Sequence, residues 1–378
     1  QPTVYKYLPT IRKRWRQLKE KYVLSMLLLA SLLLMASFSL VSTGKGHGVI
    51  RVPANYPTIQ EAVNAAAPGS IILVDSGTYL EHLVLNKTLK LVGQDKANTT
   101  IDGGGNGTAI TVVADDVLID GFTIRNAELG VHLYESHNST ISGNIVTSNW
   151  GGGVLSENST GNIIIDNIMT QNGWCIPGAL YVGGAIDLWN SSNNFICGNI
   201  LTNNTVFGLS LRPANYNLIY NNVIINEYTG IELFYYSAEN IIHHNNFVNN
   251  YENVHLWESG NNIWDDGVEG NYWDSYDGLD DGSGSRVAGD GVGDTDLPYL
   301  GVDNYPLIAP YGSISIVWEN NAYPVTLLSN STVSTFRFIQ ADKKITFTLR
   351  GPLDTIGYCN ITIPKNLLQG NSWTILLN

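Results

Sequence analysis

A hydrophobic residue recurs at nearly constant spacing through the middle of the chain. Its positions are Leu118, Ile141, Ile164, Ile196, Ile219 and Ile242. The steps are 23, 23, 32, 23 and 23 residues, and the long step equals one repeat plus a nine-residue insertion expected around Gly173 to Tyr181. A fixed period in the twenties is typical of a solenoid, in which each repeat forms one coil. The L-x-x-L-x-L pattern of leucine-rich repeats is absent, so the predicted fold is an all-β parallel β-helix with coils of ~23 residues.

Each repeat contains a segment in which aliphatic residues alternate with others, as in a β-strand with one buried face. The aliphatic side chains are expected to stack inside, with successive coils ~4.8 Å apart. The outward residues then form two columns. The first, the polar column, is predicted to contain His132, Asp187, Ser210, Glu232 and His255. The second, the aromatic column, is predicted to contain Tyr134, Trp189, Arg212, Phe234 and Trp257.

Asparagine is unusually frequent, with 41 residues in the chain. Asparagine favours turns over helices because its side chain bonds to nearby backbone and tolerates left-handed conformations. The repeat places five of these residues at one corner of the coil, where stacked amides can bond from coil to coil. They are Asn144, Asn167, Asn199, Asn222 and Asn245. We interpret this ladder as structural.

The ends of the repeat region differ from its middle. Thr58 to Glu61 has the form of a helix capping box, followed by apolar residues on one helical face, which predicts a helix that caps the first coil. The period stops after Ile263. The predicted domains are a leader at 1–43, a β-helix at 49–264, an acidic glycine-rich tail at 265–311, and a small β-sandwich-like domain at 312–378 that could extend beyond the last residue.

The leader predicts export. Six basic residues between Arg12 and Lys21 lead into an uncharged apolar run from Val23 to Val41. As a helix this run would rise about 28 Å, close to the thickness of a bilayer core. The positive flank predicts that the N-terminal side stays in the cytoplasm and that the rest is exported to the cell surface or beyond. A cleaved signal peptide and a retained membrane anchor both fit.

Glycosylation acceptors support export, because Asn-x-Ser/Thr sequons act in exported proteins. The sequons are at Asn86, Asn98, Asn106, Asn138, Asn158, Asn190, Asn203, Asn330 and Asn360. The net charge of −13 argues against nucleic acid as a partner of the exported portion. Polysaccharides, other envelope components and cations remain compatible with this charge.

Two segments are similar to known β-helix proteins. The first is "VPANYPTIQEAVNAAAPGSIILVDSGTYLEHLVLNKTLKLVGQ", residues 52–94, and the second runs from "GNYWDSY" to "DNYPL", residues 270–307. They resemble pectinesterase-like and NosD-type proteins and the tails of archaeal surface proteins. The resemblance implies a right-handed β-helix. Because this family includes carbohydrate-binding proteins, sugar hydrolases and lyases, and accessory proteins of copper-site assembly, it does not select one function.

The outward columns are the first candidate site. A polar column beside an aromatic one can hold a sugar chain, because apolar ring faces stack on aromatic rings while hydroxyls form hydrogen bonds. Solvated surface with scattered aromatic residues is the alternative. Asp187 and Glu232 are predicted to lie two coils apart, ~9.6 Å between backbones, which suits an inverting carboxylate pair. Arg212 lies between them and could stabilise a charged intermediate.

Metal ions are the other candidates. Calcium is predicted at a glycine-rich loop with closely spaced carboxylates, from Asp280, Asp281, Asp290, Asp294 and Asp296. Copper is less favoured. His243 and His244 are adjacent, and as strand neighbours they are expected to point apart. No organic cofactor is predicted.

The sequence therefore predicts an exported surface β-helix that binds carbohydrate or serves as an envelope scaffold without catalysis. The alternative is a polysaccharide lyase, hydrolase or epimerase that acts on the same outward face. A NosD-type copper accessory protein is the less favoured third possibility.

Overall fold

The computed structural model describes residues 48–174, 183–318, 321–329, 332–339, 343–350, 359–363 and 367. These residues form a parallel β-solenoid of about nine turns, as the repeat predicts. The predicted leader and most of the predicted insertion lie outside the described residues. None of the helices in the described ranges is both long and apolar enough to cross a membrane.

Each coil contributes one strand to each of three parallel sheets. Sheet A has nine strands: Val49–Val52, Ser70–Val74, Leu89–Gly93, Leu118–Asp120, Thr140–Ser142, Ile163–Ile165, Phe195–Cys197, Leu218–Tyr220 and Ile241–His243. Sheet B has nine: Gly77–Leu80, Thr99–Asp102, Thr123–Arg125, Ile145–Thr147, Ile168–Thr170, Ile200–Thr202, Val223–Ile225, Asn246–Val248 and Tyr272–Trp273. Sheet C has eight: Leu83–Leu85, Thr108–Val112, Leu129–Tyr134, Gly152–Glu157, Ile186–Trp189, Phe207–Arg212, Thr229–Phe234 and Glu252–Trp257.

The core is a set of aliphatic stacks along the inner faces of the three sheets. In sheet A, Ile141 lies beside Ile164, followed by Ile196, Ile219 and Ile242, all fully buried. The predicted start of this stack at Leu118 is wrong by one residue. The register pairs Ile119 with Ile141 and Leu118 with Thr140, because that coil is one residue shorter, and Ile119 is the fully buried member.

Buried polar ladders occupy the corners. In the predicted ladder the Oδ1 of each asparagine accepts bonds from the backbone amide and the Nδ2 of the asparagine one coil before, as between Asn199 and Asn222 at 3.0 Å each. The ladder is confirmed, and it continues to Asn271. A second ladder joins Asn149, Asn172 and Asn204, and a third joins Asn162, Asn194, Asn217, Asn240 and Asn262. Since the backbone at these corners is buried, the amides supply the partners that it requires.

Between sheets A and B the chain turns through the left-handed region. Successive coils place one residue with positive φ at this turn: Gly121, Gly143, Asp166, Gly198, Asn221 and His244. Glycine, aspartate and asparagine tolerate this conformation. His244, with φ of 57°, is the atypical member of the series.

The two ends of the solenoid are covered. At the first coil a helix, α1 (Ile59–Ala65), buries Ile59, Ala62 and Val63, and its N-terminal amides are capped by Thr58 and by the carboxylate of Glu81. At the last coil Trp273 is fully buried and stacks on Phe247, with ring centroids 4.3 Å apart. The fully buried Asp303 ends the first ladder by accepting bonds from Asn271 and Trp273.

The acidic segment contains a short 3-10 helix at Ser283–Ser285. Beyond it, the described residues form two antiparallel sheets. One contains Ser313–Trp318, Asn321–Ser329 and Cys359–Thr362, and the other contains Thr332–Ile339 and Lys344–Arg350. The β-sandwich and the domain boundaries stay predictions.

Candidate functional site

The register of sheet C aligns both predicted columns on its outward face. The polar column runs through Thr111, His132, Leu155, Asp187, Ser210, Glu232 and His255. The aromatic column runs through Tyr134, Glu157, Trp189 and Arg212, and then Phe234 and Trp257. Sequence reasoning missed Leu155 and Glu157, although the 23-residue period from His132 and Tyr134 points to them.

Arg212 is the centre of a charged cluster on this face. Its Nη2 donates to Oε1 of Glu232 at 2.6 Å, and its Nε donates to Oγ of Ser210 at 2.7 Å and lies 3.8 Å from Oδ1 of Asp187. The guanidinium also packs over the rings of Phe207 and Phe234, 5.2 and 5.6 Å from their centroids. The predicted trio of Asp187, Arg212 and Glu232 is therefore in contact.

Burial sets the electrostatics of this cluster. It raises the pKa of Asp187 to about 6, an effect to which the nearby Glu232 adds and which Arg212 and Ser210 oppose. Oδ1 of Asp187 is buried and has no hydrogen-bond partner among the described residues. A carboxyl group with such a pKa can accept or release a proton near neutral pH, which general acid–base chemistry requires.

Accessibility differs along the two columns. Ser210 is fully buried and Glu232 is 6% exposed, so Ser210 is not available for direct contact with a ligand, contrary to the prediction. The rings of Tyr134, Trp189 and Trp257 are exposed by 37%, 53% and 55%. The accessible part of the face is thus mainly aromatic.

Two histidines of the polar column lie on either side of the cluster. His132 contacts Glu157, with Nε2 and Oε2 3.0 Å apart, and its ring packs edge-on against Tyr134. His255 contacts Glu252 at 3.2 Å and lies beside the ring of Phe234. Both side chains are therefore held by neighbours on the same face.

His243 and His244 lie on a different part of the molecule, at the turn between sheets A and B. Their Nδ1 atoms are 2.7 Å apart. The expectation that they point apart is wrong, because His244 has a positive φ and leaves the strand geometry on which side-chain alternation depends. Of the described residues, these two histidines and Asp266 form the single group of three or more potential ligands close enough to share a metal ion.

Four of the five predicted calcium ligands accept hydrogen bonds from backbone amides. The carboxylate of Asp280 accepts from Gly289 and Gly291 at 2.6 and 2.8 Å, and that of Asp294 accepts from Gly282 at 2.6 Å. Asp281 and Asp290 each bond to an amide two residues ahead. These bonds order the loop, and calcium binding by Asp280, Asp281, Asp290, Asp294 and Asp296 stays a prediction.

Most of the predicted glycosylation sites are at the surface. Asn86, Asn98, Asn106, Asn138, Asn190 and Asn203 are exposed, and Asn158 is half-buried. Asn190 follows Trp189 directly and donates to Oδ1 of Asn158 at 2.7 Å. A glycan on Asn190 would therefore cover part of the aromatic column. The side chains of Asn330 and Asn360 lie outside the described residues.

Glu227 is a buried acid that sequence reasoning missed. It continues the second ladder, where its carboxylate accepts from the backbone amide and the side-chain amide of Asn204 at 3.0 and 2.8 Å. Burial raises its pKa to about 8, against the effect of the two bonds from Asn204. The signal was available, because Glu227 follows Asn204 by 23 residues and precedes Asn250 by 23.

The chain matches the model of one protein family over residues 63–278, and the family is described as periplasmic copper-binding protein (NosD). A curated relative, a "Cell surface glycoprotein" of Methanothermus fervidus, is 30% identical over 200 residues, which are 52% of this chain and 30% of the relative. The chain thus spans less than a third of that relative's length.

Several solved structures are similar to part of this chain at low identity. An alginate lyase from Paenibacillus sp. is 13% identical with a TM-score of 0.35, covering 57% of this chain and 99% of that one. The periplasmic alginate epimerase AlgG is 17% identical with a TM-score of 0.38, covering 58% and 56%. Pectin methylesterase PemA from Erwinia chrysanthemi is 13% identical with a TM-score of 0.37, covering 57% and 82%. Similarities this low carry no argument about activity.

Proposed function

The chain belongs to the NosD family of proteins, and we propose that it is an exported cell-surface β-helix that binds polysaccharide on the outward face of sheet C without altering it. The observation that carries this proposal is the column of exposed rings at Tyr134, Trp189 and Trp257.

Export to the surface rests on three observations that agree. The leader combines basic residues with an apolar run. The relative with 30% identity is named a cell surface glycoprotein. Six sequons among the described residues present exposed asparagines. We propose that some of them carry glycans and that the leader directs or anchors the protein at the membrane.

The geometry of the aromatic column suits an extended sugar chain. Tyr134 and Trp189 are two coils apart, and Trp257 is three coils beyond Trp189. Adjacent coils are ~4.8 Å apart, similar to the advance of one sugar ring along a polysaccharide. Exposed aromatic rings at such multiples can stack on the apolar faces of separate rings of one chain. Glu157 and His132 beside them supply polar groups for the hydroxyls.

Affinity electrophoresis of the full-length chain against neutral and acidic polysaccharides tests binding. We expect retardation by at least one polysaccharide and about a tenfold loss of affinity in Trp257→Ala, or about 1.4 kcal/mol. Trp150→Ala is the control, because Trp150 is also exposed but precedes the Gly152–Glu157 strand and lies outside both columns. Equal effects of the two substitutions, or no retardation by any polysaccharide, would contradict the proposal.

Catalysis on the same face is the second candidate function. It is favoured by one observation: Oδ1 of Asp187 lies beside Arg212 but accepts no hydrogen bond within the part of the chain that the structure describes, and the pKa of Asp187 is raised to about 6. Against it, Arg212 is held by Glu232 and Ser210, and Glu232 is almost completely buried. The test is to incubate the protein with polysaccharides and to measure the release of new chain ends and the conversion of sugar units. Either activity in the wild type, lost in Asp187→Asn and Glu232→Gln, would show that the protein is a polysaccharide lyase, hydrolase or epimerase.

Calcium is a further proposed ligand, of the acidic loop. Isothermal titration calorimetry of the chelator-treated protein should show calcium binding that is lost in Asp290→Asn, a carboxylate that has one amide bond in the structure. If calcium released no heat and chelation left the Tm unchanged, the acidic loop would not be a calcium site.

A further inference from the structure

The histidine pair between sheets A and B lies in a setting that suits a metal ion. We propose that His243, His244 and Asp266 bind one divalent transition-metal ion of the copper or zinc type, and that Glu269 orients His244 for this role. The site is separate from the polysaccharide face and does not depend on it.

The donor atoms already converge. One donor atom from each of His243, His244 and Asp266 lies within 4.8 Å of the other two. The two Nδ1 atoms, 2.7 Å apart, share one hydrogen, and donors of a metal ion at ~2.0 Å bond length lie only slightly further apart than this. A small opening of the pair would therefore let a metal ion take the place of this hydrogen, which would move to Nε2 of His243 in the other neutral tautomer.

Glu269 fixes the chemical state of His244. Oε2 of Glu269 lies 2.8 Å from Nε2 of His244, so this nitrogen carries the hydrogen and donates it to the carboxylate. In neutral His244 the lone pair is then on Nδ1, the atom directed at His243. A carboxylate that holds the far nitrogen of a ligand histidine is the usual second contact in protein metal sites.

The surrounding residues hold the donors in place. The ring of His244 packs against Tyr311 with centroids 4.1 Å apart, and Tyr311 and Tyr220 bond to each other through their hydroxyls at 2.7 Å. Oδ1 of Asp266 accepts bonds from the amides of Val268 and Glu269. His244 is 7% exposed, while His243 and Asp266 are half-buried, so an ion can enter from the side of the latter two.

The left-handed backbone at His244 explains how two consecutive histidine side chains come together. Other coils place glycine, aspartate or asparagine at this left-handed turn, and these residues tolerate it well. His244 adopts it at a buried position, and the turn is what brings two consecutive side chains onto the same side. Histidine, like asparagine and aspartate, is among the non-glycine residues that adopt this conformation most often, so the turn can hold the two imidazoles together without unusual strain.

The donor chemistry selects the type of metal. Imidazole and carboxylate donors suit Cu²⁺, Zn²⁺ and Ni²⁺, with the highest affinity for Cu²⁺, whereas Cu⁺ prefers thiolate and thioether. The nearest thiol in the sheet, Cys197, is separated from His243 by the Tyr220 strand, and burial raises its pKa to about 12, so it stays protonated. The residues present therefore fit the copper named in the family description, in its divalent state.

Calorimetry and electron paramagnetic resonance of the full-length chain test this proposal. We expect one Cu²⁺ or Zn²⁺ per chain, a rise in Tm with the metal, and a Cu²⁺ spectrum with splitting from two nitrogens. Mg²⁺ should have no effect. His244→Asn and His243→Ala should each weaken binding by at least tenfold, and Glu269→Gln should weaken it less.

The variants are chosen so that folding does not confuse the result. Asparagine at position 244 keeps a residue that tolerates the left-handed turn, as Asn221 does one coil earlier. The control is His82→Asn, which removes an exposed histidine on a distant coil. Stoichiometric binding unchanged in His244→Asn and His243→Ala would overturn the proposal, as would no binding by the folded wild-type chain. Neither result depends on whether polysaccharide binds to sheet C.

Discussion

Asn222→Ala is expected to lower the free energy of unfolding by about 3–5 kcal/mol. The Oδ1 of Asn222 accepts from the backbone amide and Nδ2 of Asn199, and its own Nδ2 donates to Ile196, Tyr220 and Asn245. Asn222 is fully buried, and all of these bonds except the one to Tyr220 are buried with it. Alanine leaves the partners on both neighbouring coils without replacements in a place that water does not reach.

Urea denaturation followed by circular dichroism measures this effect, together with Tm. Asn261→Ala is the matched control, because Asn261 is exposed in the last coil, and we expect it to change stability by less than about 0.5 kcal/mol. If the two variants lost similar stability, the ladder would not be a main source of the solenoid's cohesion. A changed dependence on urea would indicate that one end unfolds separately.

Glu227→Gln is expected to stabilise the protein at alkaline pH by about 2–4 kcal/mol. The pKa of Glu227 rises from 4.5 in the unfolded chain to about 8 in the folded one. Between these values the folded chain holds a proton that the unfolded chain has released, so this group makes stability fall as pH rises from 4.5 to 8. Glutamine has nearly the same shape, can still accept a bond from Asn204, and has no such proton.

The measurement is the free energy of unfolding of both proteins at pH 4, 6 and 8.5. The difference between them should be small at pH 4 and largest at pH 8.5. Glu128→Gln, an exposed site, is the control and should follow the wild type within about 0.5 kcal/mol. A constant difference across the range would mean that Glu227 acts through packing and not through its proton.

The sequence reveals this fold well because a solenoid repeats its local interactions. The same residue types return at the same positions of each coil, so the strands, the Asn222 ladder and the two columns of sheet C can be derived from spacing alone. The one-residue error at Leu118 arose where a coil is shorter by one residue. A shift of one residue reverses which side chain is buried, and only the pairing of strands reveals it.

The candidate sites were less accessible to sequence reasoning. Spacing placed Asp187, Arg212 and Glu232 on neighbouring coils, but their contacts depend on side-chain directions that spacing does not give. The burial of Ser210 and Glu232 had the same cause, because an outward residue can still be covered by its neighbours.

The amino-acid sequence by itself determined the period, the parallel β-solenoid, the identity of the corner residues and the family. These properties depend on the residues of a single coil, and the same pattern recurs in every coil. Tertiary structure alone decided that His244 turns toward His243, that Glu269 reaches it from 25 residues away, and that the pKa of Glu227 is near 8. Such properties depend on the direction of the backbone and on which side chains the neighbouring coils bury. The sequence of one coil contains neither.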